Sequence, residues 1–454
     1  MTVDARTGEV VELLQALIRN RCVNDGEVES GGESRNADAL YSYLGSVGID
    51  VERFHHPDTP HRASLVARIE GTDPDAPTAA FMGHTDVVPV SEESWTRDPF
   101  GAELVDGPAG MEVWGRGAVD MLNQTAAMAV TMRRLAQSGF RPRGTLLYLA
   151  VADEEAGSMQ GVAHLLDAHP DVMRADYVLT EVGGIVSEGA HGTNVEVVTG
   201  EKGGAVVDIV VTGTPSHGST PFGADNAVVK AAEVVRRLAE HRPDTHISDS
   251  WRGWVEGQPF DADLKAMLTD PERLWDALPD LPHALAARAH SCTHTTYAPT
   301  VIHGGQKRNV ICDRVVVQPD IRIAHGESVE LVLAQLHRML ADLGDSVEIN
   351  VVRSGEPTES PTDTPLWSAL ERAARRAYPD AHLLASPLTG ATDARWFRRA
   401  GIPAYGFGLL SRQVTPEQYW SRFHGNDERI DVESLRLSAD MWEQLARDFL
   451  NDER

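Results

Sequence analysis

The sequence predicts a two-domain protein, an α/β layered domain interrupted by a smaller α+β domain. Short apolar strands alternate with amphipathic helices in the first half and again near the C-terminus, the rhythm of a layered sheet. The middle runs strand, helix, strand, strand, helix, strand, the ferredoxin-like order. A Pro/Thr stretch, GEPTESPTDTP, follows it from Gly355 to Pro365 and reads as a return hinge. The 454 residues exceed one typical domain of about 150, and an apolar share of 42% supplies a large core.

In chain order, strands are expected over 64–69 and 78–82, the second running straight into GHTDVVP. A helix over 124–137 follows GRGAVDM, with Ala127, Val130 and Leu135 toward a sheet and Arg133 and Arg134 outward. The nearly continuous apolar run 145–151 reads as a central strand covered on both faces. A helix over 159–168 and a strand over 177–180 complete this half. In the middle, a strand over 205–211 precedes a helix over 225–240 with Val228, Ala231, Val235 and Leu238 on one face. Strands over 295–303 and 314–323, a helix over 329–339 and a strand over 347–352 follow. The insertion 241–288 is expected to carry helical turns, because long structureless loops are uncommon. A helix over 367–378, a turn SPLTGATD, a strand over 404–407 and a helix over 432–450 close the chain. The expected division is one α/β domain from 1–197 and 355–454, with 198–354 inserted.

Charge and composition narrow the function classes. With 68 acidic residues against 41 Lys and Arg, the formal charge of -27 argues against a nucleic-acid or anionic-membrane partner. No run approaches the ~20 apolar residues that span a bilayer. The first twenty residues read as an amphipathic helix and not as a leader, so a cytoplasmic location is expected. Cys22, Cys292 and Cys312 suit neither a disulfide framework nor a thiolate metal knuckle.

Metal chemistry is suggested by where carboxylates and histidines fall. His84 ends an apolar strand, and Asp86, two residues on, points the same way and can reach the far ring nitrogen. Asp120 precedes a helix, where it could either cap the N-terminus or face a site, and Gly115 and Gly117 permit tight turns before it. Asp153, Glu154 and Glu155 follow the central strand. Three adjacent carboxylates at a buried strand end need compensation, which a divalent cation gives, and a turn can aim one at the ion and another at a water. Glu181 repeats the pattern after the strand 177–180, and His424 lies in RFHGNDERI. Two histidines with three carboxylates match paired zinc-like ions better than an oxygen-only magnesium or calcium site.

In order, GHTDVVP, GRGAVDM, ADEEAGS, TEVGG and the late His424 resemble the M20 metallopeptidase family over nearly the whole chain. That family takes in carboxypeptidase G2, aminoacylase-1, acetylornithine deacetylase and succinyl-diaminopimelate desuccinylase. The resemblance implies a zinc-exopeptidase-like α/β catalytic domain with an inserted lid and dimerisation domain, acting as a homodimer on small N-acyl amino acids or peptides. It implies that Asp120 bridges two ions, most naturally zinc with cobalt or manganese as alternatives. His84 and Glu181 would complete one site, and Glu155 and His424 the other. Glu154 would be the general base and Asp86 the partner behind His84. In the insert, PSHGS implies that His217 reaches an active site across the dimer, KRNVICD that Asn309 binds substrate, and PDIRIAHG that Arg322 holds a substrate carboxylate. Gly390-Ala391-Thr392-Asp393 matches the family's GGTD-like segment. The implied reaction is di-metal hydrolysis of an acyl-amino-acid or C-terminal peptide bond; an aminopeptidase or dipeptidase of the same family is the alternative, and a non-catalytic small-molecule-binding protein the remote one. Leu122-Asn123 and Cys312 depart from the family's usual Lys-Gly and Pro, and 241–288 is longer than in the simplest members. None of these is an implied ligand.

Overall fold

The computed structural model describes residues 4–108 and 110–451. Its larger sheet has ten strands, and four neighbours at its centre are mutually parallel: Thr145–Val151, Thr78–His84, Tyr177–Thr180 and Ala404–Gly406. Both faces are covered, as the apolar runs require. Phe81, Leu146 and Tyr148 pack under the helices Ala5–Arg19, Leu122–Gln137, Pro365–Ala377 and Val432–Phe449. Ala80, Met82, Leu147 and Leu149 pack under Val162–Ala168 and Ala394–Arg399. Alternate residues therefore serve opposite layers.

The helix Leu122–Gln137 is more enclosed than its pattern suggested. Ala127, Val130 and Leu135 are buried as expected, but the helices Ala5–Arg19 and Val432–Phe449 lie across its other side. Arg133 and Arg134 consequently do not point into open water. Arg134 Nε lies 3.3 Å from Glu9 Oε2, and the Arg133 guanidinium sits 4.5 Å from the Tyr43 ring centre. A second difference lies at SPLTGATD, whose first three residues finish the strand Ala381–Leu388, parallel to Gly192–Glu201.

The smaller four-stranded sheet is antiparallel, in the order Thr296–Gly304, Arg314–Ile323, Gly203–Thr212, Val347–Gly355. The helices Ala227–Glu240 and Val329–Leu340 pack on one face against Val207, Ile209, Val315 and Val317. The former buries Ala227, Ala231, Val234 and Leu238 and packs Val235 against the same core, so of the four residues expected on its apolar face Val228 alone is exposed. The chain passes between the sheets at Lys202 and returns just after Gly355, where Thr358 pairs with Glu201. The insertion 241–288 carries helical turns, as expected, beginning at Asp249, and its Trp251, Trp254 and Leu268 form a separate core with Leu384 of the large sheet.

Glu103–Gly107, Gly110–Trp114 and Arg429–Asp431 form a separate three-stranded sheet that joins two distant parts of the chain. Pairing Arg429 with Trp114 brings the loop before Asp120 beside the loop that carries His424. No helix among the described residues is long and apolar enough to cross a membrane.

Candidate metal centre

Three of the four central parallel strands end in acidic or imidazole side chains, so the carboxyl edge of the sheet collects them. His84 is the last residue of its strand; Glu154 and Glu155 follow Thr145–Val151, and Glu181 follows Tyr177–Thr180. Asp120 and His424 arrive through the three-stranded sheet. Asp120 stands between the two histidines. Its Oδ1 lies 3.1 Å from His84 Nε2, and its Oδ2 lies 3.1 Å from His424 Nε2. Glu181 Oε2 is 3.6 Å from His84 Nε2, and Glu155 Oε2 is 3.3 Å from His424 Nε2. Two triads result, His84–Asp120–Glu181 and Asp120–Glu155–His424, with donor atoms in each within 4.8 Å of one another.

The backbone is unusual where these groups are presented. Asp153, Val182 and His424 have φ of 69°, 59° and 52°, a region that side chains other than glycine enter at a cost. His424 is a triad member, Val182 follows the triad member Glu181, and Asp153 precedes Glu154 and Glu155. Glu428 is wholly buried and accepts from the backbone N–H groups of Gly117, Val119 and Asp120, at 3.0, 2.6 and 3.0 Å, and from Arg116 Nη1 at 2.7 Å. It thereby fixes the loop that carries Asp120. Asp120 does not cap the following helix, so the capping alternative is replaced by its bridge between imidazoles.

Behind His84, Nδ1 faces the backbone carbonyl of Asp86 at 3.0 Å and its carboxylate at 3.6 Å. A proton on Nδ1 satisfies that carbonyl and leaves the Nε2 lone pair for a cation. The Asp86 carboxylate accepts from Asn24 Nδ2 at 2.9 Å and from the Glu155 N–H at 3.1 Å, which ties the two triads together. Asp153, grouped with Glu154 and Glu155 in the sequence as a carboxylate needing a cation, is instead compensated by a buried ion pair with Arg62. Asn24, Arg62 and Glu428 carry no local motif, and the sequence pattern did not single them out.

The electrostatics follow from crowding several acids in a dry place. Burial, then Glu181, pushes the Glu154 carboxyl well above its usual range. Burial, then Asp120, lifts Glu155 to about 7, and burial lifts Glu181 to about 8 despite His84. Burial opposes charge on His84, yet Glu181 and Asp120 outweigh it and raise its pKa well above the ordinary value. Hydrogen bonds to Asp120 and Glu155 raise His424 to about 10. Burial also works against ionised Asp120, but the flanking imidazoles hold its carboxyl low. By themselves these side chains retain protons that a divalent cation displaces. One nitrogen and two carboxylate donors per triad, with a shared carboxylate, fit a dinuclear metal site.

The inserted segment holds the other expected residues apart from this centre. His217, exposed in the short strand Ser216–His217, pairs its Nδ1 with Ser219 Oγ at 2.7 Å. The Asn309 carbonyl accepts from Gly218 N at 2.8 Å, so Asn309 and His217 are neighbours. Arg322 donates from Nε to Asp320 at 2.8 Å. Among the described residues, none of the three makes a hydrogen bond or ion pair with the triads.

Comparison with known proteins agrees with this geometry. The chain is 26% identical over 392 residues to the N-fatty-acyl-amino acid synthase/hydrolase PM20D1 of Xenopus tropicalis, covering 84% of this chain and 74% of that protein. It is 28% identical over 420 residues to the succinyl-diaminopimelate desuccinylase of Parvibaculum lavamentivorans, covering 90% and 89%. Its fold superposes with a TM-score of 0.71 on the M20 family metallo-carboxypeptidase Sso-CP2 from Sulfolobus solfataricus, at 17% identity over 98% of this chain and 99% of the other. The profile of peptidase family M20/M25/M40 matches residues 80–448, a span that holds both triads, and the chain belongs to that family of metal-dependent hydrolases.

Proposed function

We propose that this member of the family hydrolyses N-acyl amino acids, or releases the C-terminal residue of small peptides, as a two-zinc deacylase or carboxypeptidase. The observation that carries the reading is the position of Glu154. Its carboxyl is buried beside Glu155 and within electrostatic reach of His84 and Glu181, next to both triads. The relatives named for N-fatty-acyl-amino acid hydrolysis and for desuccinylation support an acylated substrate. Zinc held by His84, Asp120, Glu155, Glu181 and His424 would lower the pKa of water and polarise the scissile carbonyl, and cobalt or manganese accept the same donors.

The chain's own groups then divide the work. Glu154 accepts the proton of the attacking water and returns it to the amine nitrogen as the C–N bond breaks. Asp86 keeps His84 in the tautomer that offers Nε2. His217, supplied by a second copy of the chain, donates to the carbonyl oxygen as negative charge develops there. Arg322 holds the substrate carboxylate with its planar fork, and Asn309 binds beside it. In this reading 1–197 with 355–454 forms the catalytic domain, and 198–354 is a ferredoxin-like lid and dimerisation domain of a cytoplasmic homodimer.

The test is a substrate panel with defined metals: N-acetyl and N-succinyl amino acids, and dipeptides with free or blocked amino groups. N-acylated substrates with a free carboxylate are expected to turn over, and Glu154→Ala to lose most of that turnover, leaving a measurable remainder, while keeping its metal. Turnover only of substrates with a free amino group would assign an aminopeptidase or dipeptidase instead. Absence of metal-dependent turnover across the panel would remove the proposal.

A further inference from the structure

We infer that Arg395 is a positioning residue for Glu154, a role that rests on Glu154 being the base. The segment from Asp153 to Ser158 carries Glu154 and Glu155, and its own backbone closes it with bonds from Ser158 N to the Asp153 carbonyl at 2.6 Å and from Gly157 N to the Glu154 carbonyl at 2.9 Å. Asp153, Gly157 and Ser158 have φ of 69°, 105° and 69°, around a single 3-10 turn Glu154–Ala156. Its two ends are tied to different parts of the molecule. Arg62 pairs with Asp153 at the start. At the other end, Arg395 Nη2 donates to the Gly157 carbonyl at 3.1 Å and to Ser158 Oγ at 2.8 Å. Arg395 is itself anchored, since Nη1 donates to the Thr392 carbonyl at 2.7 Å.

With those bonds made, Nη1 stands 3.9 Å from Glu154 Oε1, and the two side chains are only 13% and 10% exposed. That separation is too long for a hydrogen bond and short enough for attraction where little water screens it, and the same guanidinium also acts on the buried Asp393 carboxyl. The guanidinium therefore fixes where the carboxylate sits without occupying the oxygen that must accept a proton. A fork shared between loop backbone and carboxylate is a task for Arg, because a Lys ammonium cannot make both sets of contacts in fixed geometry. Arg395 is committed to protein groups on every side named here, which separates it from Arg322 as a holder of substrate.

The test is a double-mutant cycle on metal-replete protein with Arg395→Met and Glu154→Gln, reading kcat, KM and bound metal separately. Misplacing a base by about an ångström lowers kcat by about 10–100-fold, so Arg395→Met is expected to lose that much with KM little changed and both metals retained. In the Glu154→Gln background, Arg395→Met is expected to have no further effect, because it acts through that carboxylate. Arg395→Lys should recover part of the loss, and it replaces Arg395→Met in the cycle if the latter does not fold. Unchanged kcat, a change confined to KM, or equal losses in both backgrounds would overturn the assignment. Full turnover by Glu154→Gln would instead refute the base itself, a result visible without any Arg395 variant.

Discussion

His424 Nε2 and His84 Nε2 each lie 3.1 Å from a different oxygen of the one Asp120 carboxylate. The shared carboxylate makes the two triads unequal to their outer members. Asp120→Ala removes a donor from both, whereas Glu181→Ala removes one only from the triad of His84. After gel filtration in metal-free buffer, Asp120→Ala is expected to retain almost no metal and Glu181→Ala to retain about one ion per chain. Elemental analysis of the two variants measures this. Equal losses would mean that the triads do not share a ligand.

Metal binding should be coupled to protons, with a definite sign. Stripped of metal, the folded chain holds protons on Glu155 up to about pH 7, on Glu181 to about 8 and on His424 to about 10. Unfolded, the carboxyls release theirs near pH 4.5 and the imidazole near 6.5. The folded state thus binds more protons between those limits, so stability of the stripped protein falls as pH rises through that window. Asp120, whose pKa is lowered, titrates below it and adds no slope there. A cation takes the place of the protons, so its stabilisation should grow with pH. The difference in Tm between loaded and chelator-treated protein is expected to widen from about pH 6 to about pH 8, and distant groups cancel in that difference. A constant difference would contradict the coupling.

The Arg62–Asp153 pair is nearly sealed from water, with side chains 2% and 3% exposed. Removing one partner leaves a buried charge without its counterpart, which costs about 3–5 kcal/mol in comparable pairs. Arg62→Met should lose stability on that scale in denaturant titration, although Arg62 touches no ligand. Arg62→Met combined with Asp153→Asn removes both charges and should be more stable than Arg62→Met. If the single and double variants unfold at the same denaturant concentration, the ion pair does not hold the loop.

The metal centre was more legible in the sequence than its supports. His84, Glu155 and Glu181 announce themselves because each follows an apolar strand that has nowhere to go but the sheet interior. Asp153 obeyed the same pattern yet belongs to Arg62, far away in the chain, and adjacency cannot tell a paired acid from a ligand. Much of the sheet's far side was also hidden. Gly192–Glu201 buries Glu196 and Glu201, which find Arg288 and Arg398, so its polar letters mask a strand buried throughout most of its length. Ser386 and Pro387 looked like a turn, but the pairing register shifts between them, and such a bulge accommodates a proline inside a strand.

Gly83 offers the sharpest test of how tightly the first histidine is seated. It precedes His84 with an ordinary strand conformation, so its need for a missing side chain is purely one of space. A Cβ there would stand 2.4 Å from Thr125 Oγ1 and 3.2 Å from Thr125 Cα. That same hydroxyl donates to the His84 carbonyl at 2.8 Å, and Thr125 lies in the first turn of the helix that follows Asp120. Gly83→Ala must therefore push the helix away from the strand and open the gap between His84 and Asp120. Overpacking of this kind costs about 1–3 kcal/mol, and metal affinity should fall along with Tm. Adding Thr125→Ala clears the obstructing hydroxyl and should recover metal affinity more fully than stability, since the bond to His84 stays lost. Gly83→Ala with unaltered metal affinity would show that the helix can yield without moving Asp120.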